Sequence, residues 1–117
     1  MPVLRVYPRY TVIAEKFEAL ISLGMINTRL KDYFDLWVIL STAELDPKLL
    51  AEAIAATLAR RKTTVPSSTP VGLSEEFSSD AKKVAQWIAF IKKNNLDAPN
   101  LGVVVAYLRD RLAYVLG

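Results

Sequence analysis

Residues 27–40 read Asn27-Thr28-Arg29-Leu30-Lys31-Asp32-Tyr33-Phe34-Asp35-Leu36-Trp37-Val38-Ile39-Leu40. They form most of a helix expected from about Arg29 to Thr42, with Asn27 or Thr28 as the candidate N-cap. At 100° per residue, Asp32 and Asp35 share a face, flanked by Leu36 and Ile39. Phe34, Trp37 and Leu40 occupy other sides. A helix that is apolar nearly all round belongs in the middle of a bundle. Two carboxylates on such a helix need a cation, because a buried unpaired charge is costly.

The preceding helix offers one. It is expected from about Thr11 to Leu23, with Gly24 as its left-handed stop. Ile13, Phe17, Leu20 and Ile21 fall on one side, and Val12 and Leu23 widen that arc. Lys16 lies inside the arc, between Leu20 and Leu23. Glu15, Glu18 and Ser22 fall on the opposite, charged side. A lysine on the buried side must find a partner or reach water. The short connector makes the two helices neighbours, so Lys16 is the expected partner of Asp32 and Asp35. On physical grounds alone such a pair between packed helices reads as a structural ion pair.

The rest of the chain extends the same architecture. Asp46-Pro47 marks a helix start, with Asp as N-cap and Pro in the first turn. That helix carries Leu50, Ile54 and Leu58 on one stripe and ends at Arg60-Arg61-Lys62. Residues 63–72 hold two prolines, two serines and three threonines, and are expected to form a linker without regular structure. Phe77 fits a short helical turn. A further helix is expected from near Ser79 to Asn94-Asn95, with Val84, Trp87, Ile88 and Ile91 inward. Asn100 opens the last, with Leu101, Val104, Val105, Leu108, Leu112 and Val115 on one face. The expected fold is all-α, a single domain over residues 1–117, a bundle of about five helices. One short strand-like piece, Leu4 to Pro8, precedes it without a partner.

Composition sets the limits. The 117 residues are 52% hydrophobic and 23% charged, so the chain can build one core. There is no cysteine and no histidine, which removes disulfides, Cys- or His-bound zinc and every His-based catalytic triad. A net charge of +3 is only mildly basic. The longest apolar runs are too short to span a bilayer, and the N-terminus has no signal-like core. These features lead us to expect a cytoplasmic protein with no membrane attachment. Arg60-Arg61-Lys62 suits the negative end of a helix, with RNA-backbone contact as the functional alternative. Lys82-Lys83, Lys92-Lys93 and Arg109-Asp110-Arg111 read as solvated faces, and Trp37 and Trp87 as core.

Two runs carry a resemblance. Tyr7-Pro8-Arg9-Tyr10-Thr11-Val12-Ile13-Ala14-Glu15-Lys16-Phe17-Glu18-Ala19-Leu20 contains Ala-Glu-Lys on a helix. Asn27-Thr28-Arg29-Leu30-Lys31-Asp32-Tyr33-Phe34-Asp35-Leu36 contains a basic residue, Asp, two residues, Asp and Leu. In this order they resemble the AbiEii/AbiGii-type toxin nucleotidyltransferases. The resemblance implies the toxin half of a toxin–antitoxin or phage-defence system, with a polymerase-β-like transfer of a nucleotide. In some members the acceptor is the end of tRNA. Lys16 would then contact triphosphate oxygens, Asp32 or Asp35 would orient it or assist at the site, and Arg29 would add a phosphate contact.

The sequence departs from that family in one respect. The family's catalytic core carries a Gly-Gly/Ser turn and closely spaced metal-binding acids. Here the four glycines are isolated and no Asp-x-Asp occurs. The resemblance therefore implies a C-terminal helical portion, inactive alone, with the N-terminal core absent. Mg2+ and a nucleoside triphosphate belong to the complete enzyme, and no metal site is expected within this chain. The partners expected are that missing core or an antitoxin, and tRNA. A mean hydropathy of +0.23 and the unpaired apolar piece Val3, Leu4, Val6 and Tyr7 also allow a homodimer through exposed apolar surface. The alternative is a stand-alone helical interaction module.

Overall fold

The computed structural model describes residues 8–27, 30–64, 66 and 68–116, the last three by their backbone alone. Six α-helices follow one another: α1 (Pro8–Leu23), α2 (Leu30–Thr42), α3 (Pro47–Arg60), α4 (Glu75–Ser79), α5 (Ala81–Lys93) and α6 (Leu101–Leu116). Short 3-10 turns at Gly24–Ile26 and Val71–Leu73 complete the set. No strand occurs among the described residues. Residues 4–7 of the strand-like piece, the Val115 side chain, the cap candidate Thr28 and the expected helix start Arg29 fall outside what is described, and Pro8, expected to end the extended piece, belongs to α1.

The apolar pattern explains the packing. α2 lies among α1, α5 and α6, as its nearly all-round apolar surface requires. α1 packs most extensively on α3. Ile13, Phe17 and Leu20 from α1, Leu36 and Leu40 from α2, and Ile54 and Leu58 from α3 share one core. α6 closes it with Leu101, Val104, Val105, Leu108 and Leu112, the face read from the sequence. Trp87 is buried in the same core and its indole donates to the Pro99 carbonyl at 3.1 Å. Trp37 packs against the core from a half-buried position.

The ends follow local chemistry. Asp46 caps α3 by accepting from the amides of Lys48 and Leu49. Gly24 takes φ +53° after α1, as a left-handed stop should. At the end of α3 the amide of Thr63 donates to Leu58 and that of Lys62 to Ala59, a Schellman-type closure with Lys62 at φ 58°. α1 begins at Pro8 instead of near Thr11, since proline is tolerated in a first turn. α5 begins at Ala81, because Asp80 caps it through the Lys83 amide and Ser79 belongs to α4.

Four expectations need correction. The end of the 63–72 linker is ordered into the 3-10 turn Val71–Leu73, with Gly72 and Leu73 buried. The Tyr33 hydroxyl donates to the Gly72 carbonyl at 2.7 Å, and this turn packs against α1, α4 and α6. Glu18 is buried, because α1 is covered by neighbours on more than its apolar arc; its carboxylate accepts from Thr63 Oγ1 at 2.6 Å. Ile88 is 58% exposed, and Lys83, on the other flank of Trp87 about 140° round the helix, is buried in its stead. The Lys83 ammonium donates to the Asn27 carbonyl at 2.6 Å and lies 5.3 Å from the Phe77 ring centroid. Arg109 and Arg111 are not merely solvated: they donate to the carbonyls of Leu73 and Leu40, at 2.9 and 3.1 Å.

Gly72 marks the tightest approach. A Cβ there would collide with the carbonyl oxygen of Leu20 and stand 3.2 Å from the Tyr33 hydroxyl. Gly72→Ala is expected to destabilise the fold by about 1–3 kcal/mol, since overpacking forces the backbone apart. Lys62→Gly, which relieves a left-handed side chain, is expected to stabilise it by about 0.5–1 kcal/mol. Chemical denaturation of both variants checks the opposite signs.

Candidate functional site

Lys16 stands at the middle of α1 and faces the first turns of α2. Its ammonium is 2.9 Å from Asp32 Oδ1 and 3.1 Å from Asp35 Oδ2. The three-residue spacing of the two aspartates makes this convergence possible. Lys31, one turn before Asp35 on α2, binds the same Asp35 oxygen at 2.7 Å. The side chains of Lys16, Asp32 and Asp35 are 19%, 6% and 22% exposed. Sequence reasoning thus brings three of its four site residues together; Arg29 lies outside the described residues.

The electrostatics favour the charged forms. Burial alone would lower the pKa of Lys16, but the hydrogen bonds and charges of Asp32 and Asp35 raise it above the ordinary lysine value. Burial would likewise raise Asp35, and Lys31 and Lys16 outweigh it, holding the carboxyl below its usual range. An ammonium has three donors, of which the two aspartates take two. Behind the site, burial pushes the Tyr33 phenol well above its normal range, so it acts as a neutral donor to Gly72.

Lys16 is closed on the α2 side and open on the other. It lines a cleft of about 300 Å³ with Thr11, Val12, Glu15, Glu18, Ala19 and Arg61. Glu15, its sequence neighbour, holds both Arg60 and Arg61 at the end of α3. Burial raises the Glu15 carboxyl, but the bonds and charges of Arg61 and Arg60 prevail and leave it below the ordinary value. This arginine clamp was not foreseen: Arg60 and Arg61 read as partners of a helix dipole, and only the α1–α3 contact reveals Glu15 as their counter-ion.

These carboxylates do not form a divalent-cation site. Among the described residues no three acidic side chains converge as a metal would require. Asp32 and Asp35 are instead turned on an ammonium. The constellation can hold, orient and present one cation; it cannot supply the ligands of two-metal transfer.

Linkage gives the pH dependence its sign. Asp35 has a lowered folded pKa, so its contribution is present above its unfolded value and lost as pH falls through the folded one. Lys16 has a raised pKa, so its contribution is full below the unfolded value and lost as pH rises through the folded one. Lys16→Met leaves two carboxylates without their central cation and is expected to cost about 1–3 kcal/mol near neutral pH, where the pair is partly open to water. The deficit relative to wild type should shrink below about pH 4, as Asp35 protonates, and again above about pH 10.5, as Lys16 loses its proton. Denaturation curves across that range check both limbs; a deficit independent of pH contradicts the pairing.

Comparisons with known proteins bear on what this site belongs to. No curated protein and no solved structure matches the chain. Residues 1–113 match the family model described as "Nucleotidyl transferase AbiEii toxin, Type IV TA system", a span that includes α1, α2 and the site between them. The chain belongs to that family of toxin nucleotidyltransferases.

Proposed function

We propose that this chain is the helical, substrate-handling part of a nucleotidyltransferase toxin, with Lys16 at its centre. The observation that carries the reading is the Lys16 ammonium held between Asp32 and Asp35 while one side opens to a cleft. In this role Lys16 contacts the triphosphate as a compact cation. Asp32 and Asp35 fix its position and keep it protonated, and Arg29 adds a phosphate contact at the head of α2. Such preorganised charge is what phosphoryl-group chemistry asks of a protein.

The metal-binding carboxylates of the transfer come from a catalytic core outside this constellation. The acceptor is an RNA end, tRNA in the first instance, and the toxin acts in the cytoplasm under control of an antitoxin. A second reading, a helical interaction module, draws on one observation. An apolar groove of about 370 Å³ runs between α5 and the start of α6, lined by Val84, Trp87, Ile91 and Leu101, with Ile88 standing out beside it.

The purified chain, given Mg2+, labelled nucleoside triphosphates and tRNA, is expected to incorporate nothing. Supplied with the carboxylate-bearing core of a family member, as a fusion or in trans, it should support transfer. Lys16→Met should then lower the rate at least about 100-fold, the scale of losing a preorganised charge contact. Transfer by the chain alone, or full activity of the Lys16→Met fusion, contradicts the proposal. Failure of every fusion, with tight binding of a partner to the α5–α6 groove, favours the second reading.

A further inference from the structure

The cleft beside Lys16 contains an arrangement that the reading above does not use. Two guanidinium groups, from Arg60 and Arg61, converge on one carboxylate, Glu15. Arg61 places both Nε and Nη2 on Glu15 Oε1, at 2.8 and 2.6 Å, and Arg60 Nη2 takes the other oxygen, Oε2. Two positive charges thus meet directly on the Glu15 carboxylate, with Glu18 a more distant second acid, 3.9 Å from Arg61 Nε. The arginines stay 57% and 53% exposed, so both can be reached from solvent. The cleft that Arg61 and Glu15 line is the one that Lys16 lines.

Surrounding groups fix what could bind. Glu18 is the other acid near the pair, 3.9 Å from Arg61 Nε, and its carboxylate is already hydrogen-bonded by Thr63. The terminal carbonyls of α3 would repel an anion, but those of Thr57, Leu58 and Ala59 accept from the amides of Arg61, Thr63 and Lys62. Thr11 adds a hydroxyl to the cleft wall. A phosphate group offers more charge and more acceptor oxygens than a carboxylate, and paired guanidiniums match its geometry.

We propose that the cleft between α1 and the end of α3 is a phosphate-binding site, in which a ligand phosphate takes Arg60 and Arg61 from Glu15. Glu15 is then an internal stand-in that keeps the two arginines converged and sets the threshold for binding. The ligand's phosphate comes from a nucleoside triphosphate or from an RNA backbone. That choice of ligand rests on the reading of Lys16 as a phosphate contact; the arginine geometry does not.

Calorimetric titration with inorganic triphosphate, and separately with a short single-stranded RNA, tests the site. Glu15→Gln removes the competing charge and keeps the side chain's shape. It is expected to tighten binding about tenfold, a change of about 1.4 kcal/mol. The double variant R60Q/R61Q should lose binding, and wild-type affinity should fall as salt rises. A response confined to triphosphate identifies a nucleotide site, and one confined to RNA identifies a backbone site; either supports the proposal. Glu15→Gln binding no tighter than wild type, or R60Q/R61Q binding unchanged, overturns it. Circular dichroism on each variant separates loss of binding from loss of fold, and R61Q alone, which keeps Arg60 on Glu15, serves if the double variant unfolds. Lys16→Met that binds as wild type leaves the arginine site standing and contradicts Lys16 as a phosphate contact.

Discussion

One ammonium group between two carboxylates sets the terms for the rest of this molecule. Lys16 reaches across from α1 to Asp32 and Asp35 on α2, where it offsets the cost of placing Asp32 at 6% exposure, and Asp35 shares it with Lys31. Around that contact the helices meet as their apolar faces require. Phe17 and Leu20 from α1 and Leu36 from α2 enter the same core on either side of the charges. The charged cluster therefore fixes how α1 and α2 face each other, while the apolar surface supplies the drive to pack.

A second layer of polar contacts holds the elements that bracket the site. Lys83 on α5 grips the Asn27 carbonyl just before α2 begins. Tyr33, on α2 beside Asp32, binds the Gly72 carbonyl and stacks on Phe77 with centroids 4.9 Å apart. Glu15, beside Lys16, ties α1 to the end of α3 through Arg60 and Arg61. Each of these residues neighbours a site residue in sequence or packs against the segment that carries one. Rigid support of this kind is what a preorganised charge site needs, and equally what a small bundle needs to stay folded.

Much of this was legible in the sequence, for stated reasons. The inward positions of α6 and the Asp46 cap follow from periodicity and local hydrogen bonding, which depend on few neighbours. The meeting of Lys16 with Asp32 and Asp35 followed from cost: each charge lay on an apolar face and required the other. Lys83 escaped because a lysine in a basic pair reads as surface, although it precedes the buried Trp87 by one helical turn. Glu18 escaped because α1 is covered on two sides, which a single apolar arc does not reveal. The turn at Gly72 depends on Tyr33, 39 residues away, and nothing local announces it.

The proposed function requires that Lys16 and Asp32 form a working site and not only an ion pair. A double-mutant cycle with Lys16→Met and Asp32→Asn, made in a complete transferase carrying this chain, tests it most directly. Transfer rate and denaturation midpoint would be read on the same four proteins. A working site gives strong coupling in the rate: each single change nearly abolishes transfer, and the double change loses little more. Coupling in stability alone, with transfer near wild type in all four, would show the pair to be structural.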